Sequence, residues 1–428
     1  MAWPHLLGVK LKTPKMAASG ALAKPLVLMG FAEALSAPEV AWSLADAGFE
    51  VLSFGRRGRR TALAKSRYTK VLEVTPPELD ARATIEEICS IAGAAKLADS
   101  GRKGVILPLD DAAVRLLSQT LLPEGWGMAG PRSEGANLAL DKKYQIESAR
   151  AAGLKVPDTL VVTTPEEALR YPGPFPVIFK PADAVSLQDG CLQKGRNWIC
   201  ADRGELEKAV AGWRGKGTFL MQPFLCGTGE GIFGFATARG VGAWSAHRRL
   251  RMMNPHGSGS SACASQPVPE SLKGPVERMI KDSGWHGLFM IELLRDNLDQ
   301  HWFVEFNGRP WGSMALSRRQ GYEYPAWNIN LALDPQWSLP ESSRAGSAMV
   351  CRNLGREIMH LLFVLRGRNS AAIQNWPSFW RSAAGVLNIR VRDSFYNFRR
   401  DDLKVFLSDC YYTIRDQVIK PKYRRPAK

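Results

Sequence analysis

Short apolar runs alternate with helix-forming segments along the first 133 residues, and this alternation constrains the fold more than any other feature. Pro25-Leu-Val-Leu-Met-Gly30 reads as a buried strand, Ala37–Ala47 as a helix, and Gly48-Phe-Glu-Val-Leu-Ser53 as the next strand. Strand, helix and strand within about thirty residues make a βαβ unit, and a crossover of that kind sets the two strands parallel. The pattern repeats with Lys70–Val74 as strand, Thr84–Ala98 as helix, Gly104–Leu109 as strand and Asp111–Gln119 as helix. Residues 25–133 are therefore expected to form a Rossmann-like, doubly wound α/β domain. Residues 1–24 contain no acidic residue and no clear period, and are expected to be a flexible basic leader.

A doubly wound domain invites a dinucleotide. The turn after the first strand, however, reads Gly30-Phe-Ala-Glu-Ala-Leu35, not G-x-G-x-x-G. Without those glycines a pyrophosphate cannot approach the backbone, which argues against a dehydrogenase. The 45% apolar and 23% charged residues exclude a disordered or fibrous chain. The apolar run Ile358–Leu365 is far too short to span a bilayer. Seven scattered cysteines with no C-x-x-C argue against a disulfide framework or zinc ribbon, and point to a reducing cytoplasm. The unusual number is the charge, 57 Lys+Arg against 41 Asp+Glu, or +16. Nucleic acid, an anionic membrane or an anionic substrate would each account for it.

Beyond residue 133 the pattern becomes α+β. Asn137–Ala152 is a strongly helical stretch closed by Gly153. Mixed strands and helices follow to about residue 335. From 336 to 428 the chain turns to helical segments rich in arginine and aromatic residues.

Two apolar strands in this middle region carry carboxylates. They are Gly287-Leu-Phe-Met-Ile-Glu292-Leu-Leu and His301-Trp-Phe-Val-Glu305-Phe-Asn307-Gly-Arg309. An ionised acid among Phe, Ile and Leu is costly unless a cation or donors compensate it. Glu305 and Asn307 are two apart and share a strand face, which Arg309 continues if the strand persists. Two carboxylates and an amide oxygen suit a hard cation such as Mg²⁺. The plainer alternative is a hairpin whose acids pair with Arg295 and Arg309. Upstream, Lys142 opens a helix and Lys180 ends the strand Pro176-Val-Ile-Phe-Lys180. Each could snorkel to solvent or serve as a point charge for phosphate.

In this order the motifs resemble the ATP-grasp ligases. The resemblance covers Asp141 to about Gly312, through the Asp-Lys helix start, the strand ending at Lys180, Met221-Gln-Pro-Phe-Leu-Cys-Gly-Thr-Gly-Glu230, Glu292, and Glu305-Phe-Asn307-Gly-Arg309. It implies an ATP-grasp domain over 134–335 behind the N-terminal domain, with 158–222 as the lid. It also implies that Lys142 and Lys180 hold ATP phosphates. Gln222, Pro223, Phe224 and Leu225 would form the hinge at adenine, and Glu230 would meet the ribose. Glu292, Glu305 and Asn307 would bind Mg²⁺, with Mn²⁺ as an alternative, and Arg309 would stabilise the transferring phosphoryl group. The hinge departs from the common pattern in having Gln222 where many members have an acid. The lid loop Ala182–Gly195 is also poorer in Gly and Ser than usual.

The implied chemistry is ADP-forming ligation, in which a carboxylate is activated as an acyl phosphate and joined to an amine. A small-molecule or glycan-linked acid, in bacterial glycan or natural-product biosynthesis, is the expected substrate class. Alternatives are a thiol or bicarbonate as second reactant, or a basic binding module with a non-catalytic nucleotide pocket. Ser245-Ala-His247-Arg248-Arg249-Leu-Arg251 and the loop His256–Ser261 resemble a substrate loop of one ATP-grasp subgroup, which makes Arg249 a catalytic candidate. On a strand, His247, Arg249 and Arg251 would share a face, although a solvated basic strand would read the same way.

Residues 336–428 hold 17 Lys/Arg against 7 Asp/Glu, a net of +10, so most of the excess charge lies outside the expected site. This region reads as a helical appendage with a solvated basic face, or as a membrane- or partner-docking element. No recognised nucleic-acid motif is present, and a homo-oligomer is compatible with the sequence.

Overall fold

The computed structural model describes residues 24–95, 102–213, 215–257, 259–340, 348–368, 370–373, 375–390 and 392–419. The expected leader lies outside these residues apart from Lys24.

The first unit is the expected α/β domain. Its elements are β1 (Leu26–Gly30), α1 (Ala37–Asp46), β2 (Glu50–Arg56), β3 (Lys70–Val74), α2 (Ala81–Ala94), β4 (Gly104–Pro108), α3 (Asp111–Leu117) and β5 (Trp126–Met128). All five strands are parallel, in the order β3-β2-β1-β4-β5. The central strand reads as continuous apolar sequence because both of its faces are covered. Val27 and Met29 pack with α1, while Leu28 packs with α2 and α3.

The expected helical stretch 137–152 is two helices, α4 (Gly135–Leu140) and α5 (Lys142–Ala151). Asp141 breaks the run because it adopts an extended backbone and caps α5, its carboxylate accepting from the Lys143 and Tyr144 amides. Next come β6 (Leu160–Val162), α6 (Pro165–Leu169), β7 (Val177–Pro181), β8 (Ser186–Gln188), β9 (Cys191–Gln193), β10 (Trp198–Cys200), α7 (Arg203–Trp213) and β11 (Phe219–Pro223). β10, β7, β11 and β6 form a four-stranded antiparallel sheet. Its core is aromatic, with the Phe179 ring 4.6 Å from Phe219 and 5.5 Å from Trp213.

The largest sheet runs β16-β15-β12-β13-β14-β17-β18. It contains β12 (Thr228–Thr237), β13 (Gly240–Met252), β14 (Ser260–Gln266), β15 (Gly287–Arg295), β16 (His301–Asn307), β17 (Val350–Arg352) and β18 (Ser394–Phe395). One face carries Ile232, Ile291, Leu293, Phe303 and Phe306, and packs on α5 and on α8 (Glu270–Asp282). The opposite face is covered by Trp311, by α9 (Met314–Arg319) and by Tyr324 of α10 (Tyr324–Leu333).

Residues 336–428 are more than the expected helical appendage. Besides α11 (Leu354–Arg366), α12 (Phe379–Leu387) and α13 (Leu403–Val418), they supply β17 and β18 to the edge of the large sheet. They also clamp the N-terminal domain. Buried Asp402 accepts from the Trp42 indole N–H at 2.9 Å and from the Ser66 hydroxyl, while Arg399 reaches Asp46 at 2.8 Å. Replacing Asp402 with Ala leaves the buried Trp42 N–H without an acceptor. Chemical unfolding is expected to show a loss of about 1–3 kcal/mol, and a variant as stable as wild type would contradict the clamp.

Candidate functional site

Glu292 and Glu305 are cross-strand partners in the β15–β16 pair, so both carboxylates stand on one face. Asn307 joins them two residues along β16, opposite Met290. Like charges placed directly opposite destabilise a sheet unless cations answer them. The cations here are not those the plainer sequence reading named. Arg249 of β13 meets Glu292 at 2.6 Å, whereas Arg295 is bound to Glu230 at 2.8 Å and Arg309 to Asp111 at 2.7 Å.

Two glycines of β12 make the Arg249 contact possible. A Cβ on Gly229 would lie 2.7 Å from the Arg249 side chain, and one on Gly231 would lie 2.9 Å from the His247 ring. The bare backbone of β12 therefore lets Arg249 cross from β13 to β15. Arg251 does not share this face as expected. An irregularity in the β13–β14 register between Arg249 and Arg251 turns Arg251 away, and it pairs with Glu357 of α11 at 2.6 Å. Ser261 likewise enters β14 and donates to Glu357 at 2.7 Å. His247 keeps both ring nitrogens without a partner; burial first, then Arg249, pushes its pKa down to about 3, so it is neutral.

The lysines come from the smaller sheet and from the start of α5. Lys180 on β7 is buried, while the Lys142 amide donates to Ala182 O at 2.9 Å and fixes the helix start against the lid loop. Lys142, Glu305, Asn307 and Arg309 line one cleft with Asp111, Gln145, Asp183, Lys194 and Asn197. β16 ends at Asn307, so Arg309 does not continue the strand face; beyond Gly308 it enters the cleft, where Asp111 at the start of α3 holds it. Burial opposes the Arg309 charge, but Asp111 and Glu305 raise its pKa further above the ordinary arginine range.

Gln222 donates from its amide to the Thr159 hydroxyl at 2.8 Å, leaving its carbonyl oxygen to accept. Pro223 ends β11, the Phe224 amide donates to Pro176 O at 2.9 Å, and Leu225 is half-buried. Glu230 is buried with both oxygens engaged, by Arg295 at 2.8 Å and His301 at 3.2 Å.

The chain matches no protein-family model and no curated protein. Solved structures do match it. The L-amino acid ligase from Bacillus licheniformis superposes with a TM-score of 0.54 at 16% identity, covering 76% of this chain and 77% of that one. The biotin carboxylase domain of the Hydrogenobacter thermophilus 2-oxoglutarate carboxylase, determined with MgADP and bicarbonate, gives 0.56 at 17% over 75% and 72%. N5-carboxyaminoimidazole synthetase from Staphylococcus aureus, complexed with ADP, gives 0.56 at 16% over 80% and 86%. The chain has the ATP-grasp fold.

Within the ATP-grasp fold, several cleft residues carried no sequence signal. Asp111 belongs to the N-terminal domain and is 198 residues from Arg309. Lys194 sits beyond the lid hairpin β8–β9, whose turn places Asp189 and Gly190 at φ 50° and 75°. That hairpin is docked on the N-terminal domain, the Leu192 amide donating to Pro77 O at 2.7 Å and the Ala81 amide to Gly190 O at 2.9 Å. The lid loop thus brings Lys194 and Asn197 into the cleft.

The donors fit Mg²⁺. Among the described residues no group of three His, Cys, Asp or Glu gathers as a metal site. Glu292, Glu305 and Asn307 nevertheless offer hard oxygens, and Mg²⁺ commonly takes one or two carboxylates plus phosphate oxygens.

Burial pushes the Lys180 pKa down to about 8, against the attraction of Glu305 and Glu292, with Lys142 adding to the depression. The lysine is therefore charged below about pH 8 and loses its charge as pH rises through that value. Inorganic triphosphate is expected to bind roughly tenfold more weakly at pH 9 than at pH 7, with the dependence flattened in Lys180→Met. Equal slopes in the two proteins, measured by calorimetry, would contradict the assignment.

Proposed function

We propose that the protein is an ATP-dependent, ADP-forming ligase that activates a carboxylate as an acyl phosphate and joins it to an amine. The observation that carries this reading is the Glu292–Glu305 pair and Asn307 facing Lys180, within a fold shared with an amino acid ligase.

On this reading Lys142, Lys180 and Lys194 neutralise the phosphates, and the hinge Gln222–Leu225 flanks adenine. Glu230 contacts ribose only through lone pairs that Arg295 and His301 leave free. Glu292, Glu305 and Asn307 would hold Mg²⁺, which would supply positive charge to the phosphate oxygens. Arg309, pre-oriented by Asp111, faces the transferring phosphoryl group. The Arg249 guanidinium has a buried Nε–H without a partner and offers it to the acid substrate.

A carboxylate oxygen of the substrate attacks the γ-phosphorus, the bond to the β,γ-bridging oxygen breaks, and ADP leaves. The amine then attacks the acyl carbon, phosphate departs, and the amine sheds a proton. The protein contributes position and charge, with no side-chain nucleophile. Bicarbonate and a thiol are the alternative reactants to be compared in the same assay.

Screening ADP release over acid and amine pairs, with mass spectrometry of products, tests the reading. Glu305→Gln and Lys180→Ala are each expected to lower turnover at least about a hundredfold with the fold retained. Full turnover in either variant would refute the site assignment.

A further inference from the structure

The last three helices each leave large apolar side chains exposed. On α12, Ser382 is buried and meets His360 at 3.2 Å, while Arg352 binds the Gly385 and Val386 carbonyls at 3.1 Å. Ser382 thus lies on the packed side of this helix. Trp380, Ala384 and Leu387, spaced i, i+4, i+7, point to solvent, with Trp380 and Leu387 each 79% exposed.

Neighbouring α11 buries Met359 and Val364 together with Glu357 and His360, and exposes Ile358, Leu362 and Leu365 at the same spacing. α13, packed on α11, exposes Leu403, Leu407 and Tyr411. Single exposed apolar residues are ordinary, but a stripe on each of three packed helices is not.

The exposed charge beside the α11 and α12 stripes has one sign. Arg366, Arg368, Arg381, Arg390 and Arg392 are exposed, and none forms a salt bridge with a described residue. The sequence after Ile419 adds five Lys/Arg and no acid.

We propose that the α11–α12 face is a docking surface for an anionic phospholipid membrane. Apolar side chains of this size, Trp above all, partition into the boundary between headgroups and acyl chains, and flanking arginines pair with lipid phosphates. A second copy of the chain is a poorer occupant, because a two-fold contact would set these arginines against each other. Nucleic acid would pair with the arginines but leave the aliphatic stripes in water. Among the described residues no helix is long and apolar enough to cross a membrane, so attachment here is to the surface. The face is built from α11 and α12, not from the residues lining the cleft, so lipid binding and ligase activity can fail separately.

Flotation of the full chain with vesicles tests this. Vesicles of 30% phosphatidylglycerol in phosphatidylcholine are expected to carry the protein, and pure phosphatidylcholine is not. Raising salt from 0.1 to 0.5 M should reduce the bound fraction severalfold. The double variant Trp380→Ser, Leu387→Ser and the charge variant Arg381→Glu, Arg390→Glu should each lower it about tenfold or more while leaving ADP release in solution unchanged. These side chains are exposed, so the fold should tolerate both, and circular dichroism checks that it does. No binding to anionic vesicles, equal binding to neutral ones, or binding indifferent to the variants would overturn the proposal. So would a concentration-dependent dimer abolished by the double variant, or tight binding of an oligonucleotide in place of vesicles.

Discussion

Two carboxylates directly opposite one another on paired strands dominate this molecule. In water Glu292 and Glu305 would cost little, but half-buried on the strand face that carries Met290 their repulsion must be answered locally. Arg249 answers from the next strand but one, reaching over the glycines of β12. Lys180 answers from the smaller sheet, where burial lowers its pKa against the pull of both acids. Arg309 feels Glu305 and is itself held by Asp111. The cleft therefore needs three units to meet: the large sheet, the smaller four-stranded sheet and the N-terminal domain.

That requirement explains features far from the acids. The β8–β9 hairpin docks on residues 77–81, which fixes the lid beside α3. Asp110 and Asp111, adjacent at the start of α3, face two ways: Asp110 meets Arg56 at 3.0 Å in the N-terminal domain, and Asp111 meets Arg309 in the cleft. Asp402 and Arg399, from the last segment, hold α1 and the loop after β2. An arrangement of cations around two acids is only as precise as the interfaces that carry them.

Much of this was legible in the sequence because it is local. The βαβ alternation, the strand ending at Lys180 and the acids at 292 and 305 are patterns within ten or twenty residues. The pairing partners are not local. Asp111 looked like an ordinary first-turn acid, and nothing in its neighbourhood points to Arg309. Arg251 looked equivalent to Arg249 until one irregular step in register sent it to Glu357. β17 and β18, with three and two residues, are too short to show a period, so a region that completes the large sheet read as helix alone. Asp141 was the subtler case: the helical stretch 137–152 hides a break, while the Asp-Lys pair marks a helix start at Lys142, and the N-cap at Asp141 supplies both.

The central claim is that these charges serve the transfer of a phosphoryl group to a carboxylate. Oxygen tracing tests it most directly. With an ¹⁸O-labelled carboxylic acid that supports ADP release, turnover with the amine should place one ¹⁸O in the released inorganic phosphate, read by ³¹P NMR or mass spectrometry. Amide product formed with no label in phosphate, or with the label in AMP, would contradict the account.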